Sequence, residues 1–369
     1  MVALVATAAL VCFWAALGSQ AISAALHHDF LNLYTGGCMA REGRFAQLHD
    51  PALQLAYERR IWPDAKMLVP FVRPHVYAAA LAPLTWLPYR TAFWVWVGFQ
   101  CAVLGACWRW AYRRFGPDAL LWGALSLPAA LGIAHGQDSP LMLAAAVGAY
   151  SLASHGRNAR AGAVAGLALI KFHLILLWPV AMLAARRWRM LAGFAATATV
   201  LAAVSFALAG PRGVTLYLAM LRNKDLERLS PTPEFMMNVQ GLCASLGIAS
   251  GWFLAAGTAL VVALAALAIR RAPLWRWFSA AVIATLLAVP HVYNYDATLL
   301  WLPIWLTLFH SQERWSRSAA ALAAIPIPYL MTLLDRPWSA AAAVCALLLL
   351  AALAREGLHA TPDTSKGTL

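Results

Sequence analysis

Residues 157–189 read RNARAGAVAGLALIKFHLILLWPVAMLAARRWR. Two apolar runs, 161–170 and 172–185, lie between two clusters of arginine, and the single cation Lys171 separates them. Each run is shorter than the roughly 20 residues that a helix needs to cross a bilayer. Arginine clusters at both ends are typical of segments that begin and end on the cytoplasmic side. The stretch therefore predicts a membrane-embedded helical hairpin that is broken at Lys171.

The same alternation of apolar runs and basic clusters continues along the chain. Of its 369 residues, 62% are apolar and 12% are charged, whereas a soluble domain has about 25% charged residues. The net charge of +13 comes largely from short arginine clusters between apolar runs, which is typical of cytoplasmic loops rather than of a nucleic-acid-binding surface. We predict an all-α polytopic membrane protein that is surrounded by membrane lipids and binds no nucleic acid.

Placing every basic cluster in the cytoplasm predicts about twelve transmembrane helices. In sequence numbers they are 2–26, 89–112, 118–134, 140–154, 161–170, 172–185, 190–209, 250–269, 276–290, 297–310, 317–334 and 337–354. An even number of crossings puts both termini in the cytoplasm. The spans and their loops form a single transmembrane domain, 1–354, and a polar cytoplasmic tail follows at 355–369.

Three further segments are predicted on the outer side. In the outer loop 27–66, Asp50 is a natural helix cap and Pro51 suits the first helical position. An amphipathic helix on the outer membrane surface is expected there, with an apolar face of Leu53, Ala56, Tyr57 and Ile61. Segment 67–88 has four prolines and an arginine, so we interpret it as a re-entrant or interfacial element. Segment 211–238 is predicted to be a second outer loop.

The chain carries no recognisable metal or cofactor motif. Its six cysteines show no CxxC spacing, and no Asp-x-Asp pair occurs, so we expect neither a metal nor a cofactor. Cys38 and Cys243 both lie on the outer side of the predicted topology, which allows a disulfide between them.

Polar motifs of functional type all fall on the outer side of this topology. They are Asp29 after the first span, HGQDS at 135–139, KFH at 171–173 and HVYNYD at 291–296. Ionisable groups gathered at one face favour an enzyme that works at that surface. A transporter or flippase, the alternative, is typically built from internal repeats with ionisable groups at mid-membrane. An envelope-assembly scaffold, the other alternative, has no need of such a cluster.

Three stretches resemble glycosyltransferase family 87, the polyprenyl-phosphate-mannose-dependent mannosyltransferase-like group of bacterial membrane proteins. They are DFLNLYTGGCMAREGRFAQLHDPALQ at 29–54, APLTWLPYRTAFWVW at 82–96 and, most similar, the segment from GQDSP to RRWR at 136–189. The resemblance covers roughly residues 1–310. One departure is PHVYNYDATLLWLP at 290–303, where a Tyr-Asp pair replaces the Ser-Trp of the mannosyltransferases. The transferred sugar and the acceptor are therefore left open.

The resemblance implies a GT-C-type fold with a catalytic aspartate in the first outer loop, which is Asp29 here. This carboxylate would take the proton of the acceptor hydroxyl, and partial desolvation at the end of a span would raise its pKa. An interfacial or helix-capping role is the alternative for Asp29. The family's late histidine is matched by His291 or replaced by the pair Tyr295 and Asp296, and His291 is the second catalytic candidate.

Other polar side chains complete the predicted site. Lys171, Arg73 and His173 are candidates for binding the donor phosphate, since a lone cation in apolar surroundings is often a ligand for an anion. A snorkelling or interfacial cation is the alternative. A helix is predicted to start at Asp138, with Asp138 or Ser139 as its cap and Pro140 in its first turn. Sugar or acceptor contacts are assigned to Gln137, His135, Asn294, Tyr295, Asp296 and Tyr34.

These inferences combine into one predicted function. The chain is expected to be an integral membrane glycosyltransferase that transfers mannose or a similar hexose from a polyprenyl-phosphate donor to a glycolipid or glycan acceptor. The reaction is expected to invert the anomeric configuration, with Asp29 as general base. It is expected at the periplasmic face of the cytoplasmic membrane.

Overall fold

The computed structural model describes residues 29–124, 126–223, 233–332, 334 and 336–359. Within this part the regular secondary structure is helical, and the one isolated bridge joins Met236 to Tyr293. The predicted all-α class is confirmed for the described residues. The predicted first span, 2–26, and the end of the predicted tail lie outside them.

An N-terminal group of short helices packs against the start of the first long helix. Its α-helices are α1 (Asp29–Arg41), α2 (Pro51–Ile61) and α3 (His75–Leu81), with 3-10 turns at Phe45–Gln47 and Ala82–Trp86. Phe30, Met39, Phe71 and Phe93 are buried between them. This cluster places the beginning of α1, and with it Asp29, against the rest of the protein.

The predicted helix after Asp50 is present, but its buried face differs from the prediction. Asp50 Oδ1 accepts the backbone N–H groups of Ala52 and Leu53 at 3.0 and 3.2 Å, which confirms the cap. The face toward the protein is formed by Gln54, Tyr57 and Glu58, whereas Ala56 of the predicted apolar face is exposed. The polar residues are inside because they bind the backbone of the neighbouring segment 68–74.

The remaining helices form a larger bundle around a second core. In chain order they are α4 (Tyr89–Phe115), α5 (Asp118–Ala124), α6 (Leu127–Ala134), α7 (Ser139–Ser154), α8 (Asn158–Leu167), α9 (Trp178–Ala184), α10 (Trp188–Leu221), α11 (Val239–Ser245), α12 (Gly251–Ile269), α13 (Leu274–Ala288), α14 (Trp301–His310), α15 (Arg314–Ala324), α16 (Ile327–Met331) and α17 (Ala341–His359). Further 3-10 turns occupy Ala168–Ile175, Pro233–Phe235, Asn294–Leu300 and Trp338–Ala340.

Four helices in the described residues are long and apolar enough to cross a membrane, and up to five if one bent pair is counted as a span. They are Tyr89–Phe115, Trp188–Leu221, Gly251–Ile269 and Trp338–His359. The chain is therefore a membrane protein, but about twelve spans are not confirmed. Several predicted spans are instead broken into two short helices. In 118–134, for example, Ser126 caps a new helix, and in 317–334 a new helix begins after Pro326.

The predicted break at Lys171 is present. Lys171 has non-helical backbone angles (φ −126°, ψ 61°) inside the 3-10 turn that continues α8. The segment Asn158–Ile175 and helix α9 together are apolar enough for a span, and they are bent by 108°. The polar backbone groups at such a break need partners inside the protein, so the turn around Lys171 is packed against α7 and α13.

Three other predictions concern the segments between spans. Helix α10 continues to Leu221 past a break at Gly210 (φ 64°), so residues 211–221, which were predicted to belong to an outer loop, are helical. Segment 67–88 forms a short irregular stretch, α3 and a 3-10 turn, and its re-entrant or interfacial position stays a prediction. Cys38 and Cys243 are both free thiols, so the disulfide that the topology allowed is absent.

Candidate active site

Four charged residues from distant parts of the chain form one buried cluster. Arg73 binds Asp138 through two hydrogen bonds, Nε to Oδ2 at 3.0 Å and Nη2 to Oδ1 at 3.1 Å. Lys171 Nζ lies 3.2 Å from Asp138 Oδ1 and 2.6 Å from Asp296 Oδ1. None of the four is more than 8% exposed. Two cations and two carboxylates balance each other, which is the condition for keeping such charges out of water.

Asp138 is central to this cluster; the predicted helix, α7, begins directly after it, but its side chain does not cap that helix. It binds Arg73 and Lys171 instead. Burial by itself raises the pKa of the Asp138 carboxyl, but the two cations outweigh burial and hold that pKa well below its usual range. The same contact raises the pKa of Arg73, in spite of its burial.

Asp296 is held on two sides. Its Oδ2 accepts the backbone N–H of Tyr293 at 3.2 Å, so it closes the turn that begins the 3-10 segment Asn294–Leu300. Its Oδ1 accepts hydrogen bonds from Lys171 at 2.6 Å and from the hydroxyl of Ser139 at 3.1 Å. One oxygen of Asp296 thus closes the turn, and the other binds Lys171 and Ser139.

Lys171 also contacts two of the residues predicted to bind sugar or acceptor. Its Nζ donates to Gln137 Oε1 at 3.2 Å. The same Nζ lies 5.1 Å from the centre of the Tyr295 ring, within the range of a cation–π interaction. The structure thus brings Gln137, Tyr295 and Asp296 together around Lys171, as a site on one face requires.

Asp29 lies beside this cluster and is hydrogen-bonded to His135. His135 Nδ1 donates to Asp29 Oδ2 at 3.1 Å, and the two side chains are 37% and 21% exposed, respectively. This pair is therefore far more accessible than the ion cluster. Between His135 and Gln137 the chain turns at Gly136 (φ 66°), where a Cβ atom would lie 2.8 Å from the Cβ of Phe30. Only glycine lets the polar turn approach α1 this closely.

The pKa of Asp29 is shifted in the direction opposite to the prediction. Burial raises the pKa of this carboxyl, but the hydrogen bond and charge of His135, the hydrogen bond of Gln137 and the charge of Lys171 lower it. The net shift is below the ordinary value of 3.8. The sequence suggested desolvation alone, because the partners of Asp29 are more than 100 residues away along the chain. Asp29 is consequently ionised at neutral pH.

A row of aromatic rings continues from the Asp29 partner. His135 and Tyr295 have ring centres 6.1 Å apart, and Tyr295 and Tyr293 are 5.7 Å apart. His291 follows at 4.9 Å from Tyr293, and His173 at 6.0 Å from His291. His291 is exposed, and the Nε2 atom of His173 is buried without a hydrogen-bond partner in the described part of the chain. The two predicted histidines therefore lie together at the far end of this row.

Two predicted contact residues are bonded elsewhere. The Tyr34 hydroxyl donates to the backbone carbonyl of Leu87 at 2.7 Å, and its ring packs on Phe30 and Tyr89. Asn294 donates through Nδ2 to the hydroxyl of Thr332. Both side chains thus link the segments that border the site to neighbouring elements.

The sequence did contain a signal for the missed residue Asp138. Two cations, Arg73 and Lys171, were already placed in apolar surroundings, and buried cations need anions. Asp296 alone could not balance both, and Asp138 lies next to Gln137 in the HGQDS turn that was already predicted to belong to the site. Within the described residues, no group of three His, Cys, Asp or Glu side chains is arranged to hold a metal ion.

Comparison with known proteins gives one match. The sequence model of glycosyltransferase family 87 matches residues 71–290, which is more than half of the chain. This range includes Arg73, Asp138 and Lys171, and it is shorter than the range over which the motifs resemble the family. No curated protein and no solved structure matches the chain. The chain belongs to glycosyltransferase family 87, and the family together with the long apolar helices makes it a membrane glycosyltransferase.

Proposed function

We propose that this protein transfers mannose or a similar hexose from a polyprenyl-phosphate donor to a glycolipid or glycan acceptor, with inversion at the anomeric carbon. The observation that carries the proposal is the Asp29–His135 pair. It is an accessible, ionised carboxylate directly beside a buried cluster of cations and carboxylates. We further propose that the site faces outward from the cytoplasmic membrane, because the polar motifs share one side of the predicted topology.

The proposed step uses Asp29 as general base. Asp29 removes the proton of the acceptor hydroxyl as that oxygen attacks the anomeric carbon of the donor. The bond between this carbon and the phosphate oxygen breaks on the opposite face, and the phosphate leaves with the electron pair. A base with a lowered pKa is fully ionised at neutral pH, and His135 keeps its carboxylate oriented.

We assign the donor phosphate to Lys171, Arg73 and His173. The two cations already bind carboxylate oxygens, which are oxyanions like those of a phosphate. Because Asp138 and Asp296 occupy them, the phosphate has to share these cations with the two carboxylates. His173 has an unpartnered, buried Nε2 close to the exposed His291. We therefore place the leaving phosphate at this end of the aromatic row, with His291 as a second catalytic residue.

We assign the transferred sugar and the acceptor to the opposite end of the row. Gln137, His135 and Tyr295 lie around Asp29 and Lys171, where an amide, an imidazole and an aromatic ring suit sugar hydroxyls and a sugar face. Asp296, Asn294 and Tyr34 are hydrogen-bonded to the protein and shape this region. Lys171 belongs to both parts of the site, since its Nζ contacts Gln137 and it is two residues from His173 in the chain, so it is close to the phosphate and to the sugar that the phosphate carries.

The test is transfer of radiolabelled mannose from polyprenyl-phosphate-mannose by protein in liposomes that contain a lipid extract as acceptor. We expect Asp29→Asn to lower the rate by about 10²–10⁴-fold, the usual contribution of a general base. The matched control is Asp64→Asn, which changes an exposed carboxylate of the same outer segment and is expected to be as active as the wild type. Equal transfer by all three proteins would show that Asp29 is not the base. Transfer by none of them would contradict the proposed donor.

A further inference from the structure

The segment 68–73 reaches the ion cluster as irregular backbone that belongs to no helix or strand. It is followed directly by Pro74 and α3, and it carries Arg73 at its end. Backbone N–H and C=O groups in a buried segment need hydrogen-bond partners. In a sheet, the alternate residues of one edge would find them on the next strand. Here the partners are side chains.

Three alternate residues of this segment are bound by three side chains from α2 and the turn before it. Glu58 Oε2 accepts the N–H of Val69 at 3.1 Å. Gln54 binds Phe71 on both groups, since Oε1 accepts its N–H at 3.0 Å and Nε2 donates to its C=O at 3.3 Å. His49 Nε2 donates to the carbonyl of Arg73 at 2.9 Å. The bound residues therefore follow the i, i+2 and i+4 spacing of a strand edge, with Phe71 bound on both groups and Val69 and Arg73 on one group each.

These three side chains are buried at a high free-energy cost unless they serve such contacts. His49, Gln54 and Glu58 are each at most 1% exposed. Burial lowers the pKa of His49 to about 3 and raises that of Glu58 to about 7. Gln54 and Glu58 are four residues apart, so they lie on one face of α2. If this face of α2 and the turn before it carried apolar side chains, the bound backbone groups of Val69, Phe71 and Arg73 would lose their hydrogen-bond partners.

The contact between His49 and the Arg73 carbonyl matters because the guanidinium of the same arginine binds the ion cluster. Its carbonyl is held by His49, while its guanidinium holds both oxygens of Asp138. Asp138 in turn binds Lys171 at 3.2 Å. The position of the backbone at Arg73 therefore sets where the guanidinium meets the cluster.

We infer that His49, Gln54 and Glu58 are positioning residues that hold Arg73 in the ion cluster through the backbone of residues 69–73. Only the consequence for catalysis rests on the proposed function. The anchoring itself is testable without sugar transfer.

The first test measures amide hydrogen exchange and arginine modification in the full-length protein. In Gln54→Leu we expect the amide of Phe71 to exchange about tenfold faster, as the loss of one hydrogen bond predicts. Arg73 should also become reactive toward phenylglyoxal, an arginine-selective reagent. Glu58→Gln keeps an acceptor for the Val69 N–H, so it should protect both groups like the wild type, whereas Glu58→Leu should not. Arg59→Gln, on the exposed face of the same helix, is the control.

Unchanged exchange and unchanged Arg73 reactivity in Gln54→Leu and Glu58→Leu, relative to Arg59→Gln, would overturn the inference. A second measurement addresses the role in transfer: kcat should fall in Gln54→Leu with little change in the acceptor KM, and Glu58→Gln should keep wild-type values. Loosened Arg73 with unchanged kcat would also overturn the positioning role. If the wild type transfers no mannose, the proposed donor fails, while the exchange and modification data still decide the anchoring.

Discussion

At the scale of single residues, the site depends on how His135 alters the pKa of Asp29. Asp29 is partly exposed, and burial by itself would raise its pKa. The hydrogen bond from His135, only 3.1 Å long, is the first of the contacts that reverse this shift. A carboxylate that must be ionised to act as base is therefore stabilised in its ionised form by an imidazole from the turn after α6.

His135→Phe keeps a ring beside Tyr295 but removes the hydrogen bond and the charge. Without His135 the pKa of Asp29 is higher than in the wild type, because two of the contacts that lower it are lost, so more of the base is protonated at a given acidic pH. We expect the acidic limb of the pH–rate profile to move to higher pH than in the wild type. His155→Phe, at the cytoplasmic end predicted for α7, should leave the profile unchanged. An acidic limb at the same pH in His135→Phe and the wild type would contradict this account of Asp29.

At the scale of secondary-structure elements, the backbones of α8 and α10 approach each other closely. A Cβ atom on Gly162 would lie 1.8 Å from the carbonyl oxygen of Met190, and one on Gly193 would lie 1.9 Å from that of Ala159. Small residues that let helix backbones touch are a common way of packing helices in membranes. Because α8 continues directly into the 3-10 turn that contains Lys171, this helix contact also determines the position of Lys171.

Gly162→Ala should therefore push α8 and α10 apart. We expect a loss of about 1–3 kcal/mol in stability, which is usual for overpacking, measured as a lower thermal midpoint in detergent. Gly98→Ala is the same substitution in α4 at a position with open space around it. That control should be neutral or up to about 1 kcal/mol more stable, because alanine favours helix more than glycine. Equal midpoints for the two variants would rule out the close contact.

At the scale of the whole molecule, the ion cluster joins segments that are far apart in the chain. Arg73 comes from the irregular segment before α3, Asp138 from the turn before α7, Lys171 from a broken helix and Asp296 from a 3-10 turn. Replacing any one member leaves an uncompensated buried charge. The cluster therefore links the N-terminal helices to the main bundle, and it lies directly beside Asp29.

Lys171→Met leaves two buried carboxylates with one arginine. We expect a loss of about 3–5 kcal/mol in stability, the usual consequence of breaking a buried ion pair, detected by thermal unfolding in detergent. Adding Asp296→Asn restores the charge balance and should recover part of the loss. Lys66→Met, at an exposed lysine of the outer segment, should have no effect. A double variant as unstable as the sum of the two single changes would mean that Lys171 and Asp296 do not act as a pair.

Much of the site was predictable from the sequence because some signals are local. Asp29, Gln137, Lys171 and Asp296 stand out as polar residues at the ends of apolar runs, and the structure brings them to one place. Asp138 and the anchoring residues of α2 were missed for a physical reason. A carboxylate beside proline has the local pattern of a helix cap, and a buried Gln54 cannot be told from an exposed one until its backbone partner is known.

The sequence by itself determined that this protein is helical, lies in a membrane and belongs to its family. Those properties follow from the length of apolar runs, the placement of arginines and the order of motifs, which are all written locally along the chain. Tertiary structure alone decided which helices are broken, which carboxylate neutralises which cation and in which direction the pKa of Asp29 moves. These depend on distances between residues such as Asp29 and His135, which are distant in sequence and adjacent only after the helices pack.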